Sequence, residues 1–449
     1  MRGRRPHRWG RPREGDGVTA DVRHSDGRAP GPLSRRSLLV GGGVLLGGAA
    51  VAGGTAALRG RRWDVAVVGA GVTGLSAARN LVDHGRSAVV LEARDRIGGQ
   101  LYTDHDFSSI PVELGAGLIH GREAYTWELV REAAAETVRV RHGNGAPEPL
   151  DTPGPPREDE DAAAYLRRMG VPEERWPPVS IDNEPLHRWS AVWMSEYGLF
   201  DWWSVPRENF RVVGGYDRIL PPLAHDLDVR LSHVVRRVRW SGRGVTLTAQ
   251  GPDGTVEVRA DRCVVTLPIG VLKAGDVVFD PPLPTGHRDA VESLDRTDAL
   301  KLVYEFDRPV FPTDEDVLGW DEDSGFVFWC LSREDPEVVV AWAAGENARR
   351  LSDLDPDARF ADGLAALAEA LGEDVPEPVA RTTHDWAGDV FSRGAYLFVP
   401  PGAHDAPAAL GAPLEGVLYF AGEPTTGENT VDGAYAGGYD TTDRLLAEG

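Results

Sequence analysis

The sequence predicts an α/β protein built on a Rossmann-like dinucleotide-binding domain, and three features of one short stretch carry that prediction. Asp64-Val65-Ala66-Val67-Val68 is an apolar run of the kind that forms a strand buried on both faces of a parallel sheet. It leads into Gly69-Ala70-Gly71-Val72-Thr73-Gly74, after which Leu75, Ala78, Leu81 and Val82 recur at helical spacing until Gly85 stops the helix. A second strand, Ser87 to Leu91, ends in the acid Glu92. Each part has a physical task. Gly69 permits the tight turn, Gly71 lets backbone approach a pyrophosphate, and Gly74 lets helix and strand pack closely. The helix N-terminus faces the phosphates, and Glu92 accepts hydrogen bonds from the adenosine ribose. Three glycines alone are a weak signal; strand, turn, helix, strand and acid in this order are a strong one.

At 449 residues the chain is long enough for two domains and an enclosed cofactor pocket. Its formal charge is −22, unevenly spread: residues 1–62 hold 13 arginines against four acids, and the remainder holds 35 basic against 66 acidic residues. A body that acidic repels nucleic acid and draws in cationic solutes, although acidic surface also serves solubility alone. The only lysines are Lys273 and Lys301, against 46 arginines. Lys273 reads as an exposed residue in the connection after an apolar strand. The two cysteines, Cys263 and Cys330, form no metal or disulfide pattern, and Cys263 opens an apolar run that suggests a buried thiol. No cluster of metal-ligating residues and no serine or cysteine triad is visible.

The Arg-rich leader ends in Leu33-Ser34-Arg35-Arg36-Ser37-Leu38-Leu39, and an uncharged stretch with seven glycines runs from Ser37 to Leu58. Paired arginines before a weakly apolar segment read as a twin-arginine export signal, with Ala50-Val51-Ala52 as a small-residue cleavage site. The competing reading is a membrane anchor of 22 uncharged residues, which so many glycines would make a poor spanning helix. Residues 1–58 are therefore set aside as an address for the twin-arginine export machinery. The mature chain would act outside the cytoplasm, without a stable membrane span.

After Glu92 come Ala93-Arg94-Asp95-Arg96-Ile97-Gly98-Gly99. The acid, the arginine and the paired glycines resemble the extended FAD fingerprint of the flavin amine oxidase family. The resemblance implies that Gly98 and Gly99 allow a second close approach to FAD and that Arg96 meets a phosphate. Gln100 stands where the family usually has arginine. Val112-Glu113-Leu114-Gly115-Ala116-Gly117-Leu118-Ile119-His120-Gly121 resembles the segment beside the flavin in polyamine-oxidase-like members. L-amino-acid oxidases carry a carboxylate-clamping arginine where this chain has Leu118, which favours simple amines. His120 matches a histidine near the substrate in some polyamine oxidases, or serves only as a hydrogen-bonding group of the fold.

Residues 143–185, rich in Pro, Gly, Asp and Glu, read as an exposed loop or insertion. Trp189, Trp193, Tyr197, Phe200, Trp202 and Trp203 follow, either as core packing or as rings lining a pocket for an ammonium group. Val212 to Asp217 resembles the return to the FAD domain, with Val235 as the backbone position that holds the adenine. Val264 to Lys273 fits the same family, with Pro268 ending a buried strand. Lys301 lies in Ala299-Leu300-Lys301-Leu302-Val303-Tyr304-Glu305-Phe306, where spacing alone allows a solvated edge strand. The resemblance instead makes it the lysine that holds a water against the reactive flavin nitrogen.

Near the C-terminus, Trp386 to Asp389 and Ser392-Arg393-Gly394-Ala395-Tyr396 resemble the flavin-facing loop. Alanine at Ala395 stands where monoamine oxidases bond FAD through cysteine, so the FAD should be non-covalent. Tyr396 matches one ring of the aromatic pair that orients the amine, and Thr430 replaces the other. Tyr419 to Glu423 and Val431 to Gly438 resemble the closing FAD motifs. Gly422 and Glu423 would meet the ribityl chain, and a helix from near Gly433 and Ala434 would aim its N-terminus at the flavin. The resemblance implies a discontinuous FAD domain (63–125, 207–284 and 414–449) interleaved with an α+β substrate domain (126–206 and 285–413). It implies oxidation of a monoamine or polyamine at the carbon beside nitrogen, then imine hydrolysis and peroxide formation from oxygen. An L-amino-acid oxidase, a desaturase or porphyrinogen oxidase, and a non-catalytic FAD-binding module are the competing readings. The export signal and the lack of a long helical insertion disfavour the histone-demethylase branch. Asp201, Glu196 and Asp432 are candidates to meet a distal ammonium.

Overall fold

Strand β1 (Arg62–Val68) is apolar without interruption because it separates two cores. Val65 and Val67 belong to one, while Trp63, Ala66 and Val68 belong to the other. A central parallel strand must be apolar on both faces, so the two-residue alternation of a half-exposed strand disappears. The computed structural model describes residues 61–140, 150, 154–176, 184–200, 208–312, 316–321, 325–332 and 336–448. The leader, Asp201, Trp202 and Trp203 lie outside the described residues.

β1 pairs in parallel with β2 (Ala88–Leu91), and β2 with β3 (Asp228–Arg230). On its other side lies β6 (Gly254–Val265), whose length lets it serve two partners besides β1. Its first half runs antiparallel to β5 (Gly244–Gly251), itself paired with β4 (Val234–Ser241). Its last three residues pair in parallel with Leu418–Phe420, so strands from three distant stretches meet in one sheet. Helix α1 (Val72–Asp83) lies against the C-terminal helix α2 (Val431–Ala447). Asn80 Nδ2 donates to Thr442 Oγ1 and Asp443 Oδ1, each at 2.8 Å. Gly438 sets the close approach: a Cβ there would fall 2.0 Å from Ser76 Oγ and 2.4 Å from Thr73 O.

The second sheet is antiparallel, in the order β8 (Val317–Asp321), β9 (Phe326–Ser332), β10 (Glu337–Ala344), β7 (Ala299–Phe306) and β11 (Ala380–Asp385). Leu300, Leu302, Tyr304 and Phe306 point into one apolar core of this unit. The opposite face of β7, which carries Lys301 and Val303, is covered by the segment holding Val112 and Leu114. β7 is thus an interior strand buried on both faces, and Lys301 is 5% exposed. The solvated edge-strand reading is excluded because the alternation of β7 separates two buried faces.

Two further expectations are corrected. The stretch 143–185 is not all exposed loop. Helix Ala162–Arg168 forms within it, capped by Asp161 accepting from Ala164 N at 2.8 Å, and buries Tyr165 and Leu166. Its acidic and proline-rich surroundings mask a helix of seven residues. Lys273 is half-buried in helix Ile269–Ala274, and its Nζ donates to Glu292 O (2.8 Å) and Leu294 O (2.7 Å). Both lysines of this arginine-biased chain therefore spend their ammonium on pairs of backbone carbonyls, which a compact three-donor head serves better than a planar fork.

Candidate cofactor and active site

The Gly69–Gly74 turn works at contact distance. A Cβ on Gly74 would lie 2.0 Å from Gly69 O, and one on Gly69, at φ +103°, would lie 2.7 Å from Thr266 Oγ1. Gly71 forms a bridge with Gly98, and Gly98 N donates to Ala70 O at 2.8 Å. A Cβ on Gly99 would stand 3.1 Å from Gly71 Cα, so the second glycine pair packs on the first. Helix α1 opens at Gly71 with no side-chain cap and no acid in its first turn. Its free N–H groups are thus available to an anion.

A cleft of about 1540 Å³, counting its open mouth, begins at this turn and runs to the second sheet. Gly69, Gly71, Glu92, Gly98, Gly99, Gln100, Val235, Gly422, Glu423, Ala434, Lys301 and Tyr396 all line it. Residues more than 350 positions apart thus share one surface. Glu92 is 6% exposed; Oε2 accepts from Ala70 N (2.6 Å) and Oε1 from Arg94 N (2.8 Å). These bonds orient the carboxylate at the end of β2 and leave lone pairs for a diol. An anion-ready helix end, glycine-cleared backbone and an oriented acid fit a dinucleotide such as FAD.

The arginine next to this end is Arg94, not Arg96. Arg94 lines the cleft and forks onto Asp389 at 2.8 and 2.9 Å. Burial pushes the Asp389 carboxyl up, but bonds from His384 and Arg94 hold it well below the ordinary carboxylate range. Arg96 is turned out of the cleft, over the Tyr102 ring at 3.9 Å, and Nη1 donates to Gly99 O at 2.9 Å. The chain bends through residues 93–97, so Arg94 and Arg96 point to different sides, which the motif alone does not show. Gln100 donates from Nε2 to Ser392 Oγ at 3.2 Å, tying the glycine turn to the Trp386–Tyr396 loop. On the far side of that loop Arg393 pairs with Asp276, and both ion pairs strap the loop beside the cleft.

Lys301 sits at the second-sheet end of the cleft. Its Nζ donates to Glu113 O at 3.0 Å and Gly115 O at 2.5 Å, and lies 5.2 Å from the Trp329 ring centroid. Burial lowers its affinity for a proton below the ordinary lysine range, and the charge of Glu113 opposes that shift. Trp342, opposite Lys301 in the β7–β10 register, also lines the cleft. Ala395, 4% exposed, and Tyr396 reach the cleft from the strapped loop, and Thr430 reaches it as the N-cap of α2. Thr430 Oγ1 accepts from Gly433 N at 3.0 Å. Glu423 accepts from Leu397 N at 2.6 Å, and burial pushes its carboxyl up to about 7 against that bond.

Not every expected residue comes to the cleft. Gly74 and Gly433 act behind the lining; a Cβ on Gly433 would strike Glu428 Cβ at 2.5 Å. His120 is half-buried outside the lining, its Nδ1 2.8 Å from Asn209 Oδ1. Leu118 is likewise outside it. Of the aromatic belt, Trp189 and Trp193 are core, stacked at 5.4 Å, and Trp193 Nε1 donates to Gly427 O at 3.1 Å. Trp193 thereby braces the segment after Glu423, and neither ring lines the cleft. Glu196 is exposed, and Asp432 accepts from Thr126 N at 3.0 Å. Arg94, Glu113 and Trp342 are functional candidates that the sequence reading passed over. Arg94 stood inside the quoted fingerprint, whereas only tertiary pairing brings Trp342 to Lys301. Among the described residues no cluster could hold a metal ion, and no helix is long and apolar enough to cross a membrane.

The sequence matches the family model of flavin containing amine oxidoreductases over residues 72–178 and 189–446. It is similar to polyamine oxidase 4 of Oryza sativa subsp. japonica, 29% identical over 84% of this chain and 88% of that one. It is also similar to lysine-specific histone demethylase 1 homolog 3 of Arabidopsis thaliana, at 28% identity over 85% of this chain but only 30% of that protein. Among solved structures, wild-type putrescine oxidase bound to putrescine has the same fold, with a TM-score of 0.74 at 24% identity. That match covers 86% of this chain and 99% of the other.

Proposed function

The chain belongs to the family of flavin-containing amine oxidoreductases, and from its cleft we propose that it oxidises a polyamine or simple amine, not an amino acid, with non-covalently held FAD. One observation carries the substrate class. Among the described residues, the arginines of the lining are Arg94 and Arg236, both at the nucleotide end with Glu92 and Val235. The reactive end offers Lys301 as its cation, and two carbonyls already hold that ammonium. Among the described residues of this end no guanidinium fork is placed to receive a substrate carboxylate, whereas Tyr396 and Trp342 line it with aromatic rings that suit an amine. The acidic body adds a long-range attraction for cations.

FAD, when bound, would supply the redox chemistry, as acceptor of a hydride from the carbon beside nitrogen and donor of electrons to oxygen. The chain does the rest. The α1 N-terminus and Gly71 would hold the pyrophosphate, Glu92 the ribose, Val235 the adenine through its backbone, and Glu423 the ribityl hydroxyls. Ala395 has no thiol with which to bond the ring. Tyr396 and Trp342 orient the amine, and Lys301 can keep one N–H for a water or a developing negative charge. The test is to mix the purified protein with primary amines, polyamines and L-amino acids without oxygen and follow flavin absorbance. Bleaching by amines alone, with peroxide formed when air returns, is expected. Bleaching by amino acids alone would overturn the substrate assignment.

We further infer that residues 1–58 direct export by the twin-arginine route, from the Arg35-Arg36 pair and the weakly apolar stretch after it. Cys263 and Cys330 are both buried and not joined in a disulfide, which is compatible with that route. Replacing both arginines by lysine should leave the protein inside the cell. Unchanged export in that variant would refute the assignment.

A further inference from the structure

An ammonium that is 5% exposed is costly to keep charged, and two neutral carbonyls fix its position more than its charge. The surroundings of Lys301 therefore matter group by group. β9 and β10 contribute Trp329 and Trp342, which carry no charge. β11 places His384 opposite Lys301 in register, but His384 Nε2 lies 3.2 Å from Asp389 Oδ2. The remaining neighbour, from the segment covering this face of β7, is Glu113.

Glu113 is 8% exposed, and its carboxylate is held on both oxygens. Tyr216 N donates to Oε1 at 2.6 Å and Thr103 Oγ1 to Oε2 at 2.7 Å. The charge of Asp217 also bears on it, and Asp217 is itself paired with His105 at 2.8 Å. A Cβ on Gly117 would lie 3.2 Å from Glu113 Cβ and 4.0 Å from Lys301 Nζ. The two side chains thus converge on the gap that Gly117 leaves open, without forming a contact ion pair. Burial pushes the Glu113 acid up and the Lys301 ammonium down, and each charge leans back against the other.

We propose that Glu113 is a positioning residue for Lys301, holding the ammonium charged and in place at the cleft through the field across Gly117. This rests on the role assigned above to Lys301. The main-chain oxygen of Glu113 grips the ammonium, and its side chain ties that same turn to Thr103 and Tyr216. One residue thereby couples the place and the charge of the cation. The sign follows from electrostatics. A carboxylate nearby raises the pH at which Lys301 loses its proton, so removing the carboxylate lowers it.

The composition makes the test direct, because a chain with two lysines has two side-chain Cε signals in a lysine-labelled carbon NMR titration. Lys301→Met assigns them, and Lys273, held by Glu292 O and Leu294 O, is the internal control. In Glu113→Gln the Lys301 midpoint should fall by about 1 pH unit while that of Lys273 stays in place. The glutamine keeps the size of the side chain and can still accept from Tyr216 N. Thr103→Val removes one bond to the carboxylate and should move the midpoint the same way by less. An unmoved Lys301 midpoint in Glu113→Gln overturns the proposal; should that variant fail to fold, an unmoved midpoint in Thr103→Val does so. Flavin reoxidation in Lys301→Met reports separately on the role of Lys301. A wild-type rate there would remove that role and leave the coupling to stand or fall on the titration.

Discussion

Lys301→Met is expected to slow oxygen-dependent reoxidation of the reduced enzyme by about 10²-fold, with amine binding little changed. Methionine fills nearly the same volume on β7 but offers no N–H to a water or to developing charge. Two stability effects compete. Glu113 O and Gly115 O each lose a donor, at about 1–3 kcal/mol apiece, while the desolvation of a buried ammonium is relieved. They oppose each other, so the protein should still fold and bind flavin. Stopped-flow mixing of the amine-reduced enzyme with oxygen reads the effect. A variant that reoxidises at the wild-type rate would show that Lys301 is only a packing residue.

Gly74→Ala should yield protein almost free of flavin. Helix propensity argues the other way, since alanine within a helix is worth about 0.5–1 kcal/mol more than glycine. Sterics decide the sign. The added Cβ would stand 2.0 Å from Gly69 O and 3.0 Å from Gly69 C, both backbone atoms with no rotamer to yield. α1 must then move off β1, carrying its N-terminal N–H groups away from the Gly69–Gly71 turn. Overpacking of this kind costs about 1–3 kcal/mol, enough to cancel the propensity gain, and the displaced helix end spoils the anion site. Gly286→Ala is the control, a glycine in helix Thr285–Ser293 with nothing within 4 Å of the added carbon. The flavin-to-protein absorbance ratio after purification distinguishes them, and a Gly74→Ala protein with full flavin would refute the argument.

Much of the nucleotide end was legible because its physics is local. A tight turn, a close approach and an acid at a strand end are demands on residues a few positions apart, and only certain residue types meet them. β1, α1, β2 and the orientation of Glu92 follow from about thirty consecutive residues. Arg94 and Arg96 mark where local reading ends. Both lie in one fingerprint, and the face Arg94 presents depends on Asp389, 295 residues away, while Arg96 stacks on nearby Tyr102.

By itself the sequence determined the dinucleotide turn, the apolar strands that make a parallel sheet, and the burial of the Cys263 thiol within one of them. These come from residue type and short spacing, which the unfolded chain already contains. Tertiary structure alone decided that β7 is an interior strand, that Lys301 faces the cleft with Glu113 behind Gly117, and that Trp189 and Trp193 are core. An alternating strand has the same pattern whether its second face meets water or another packed layer. Burial, and with it the charge a lysine carries, is a property of what covers that face, and the covering segments lie about 190 residues away along the chain.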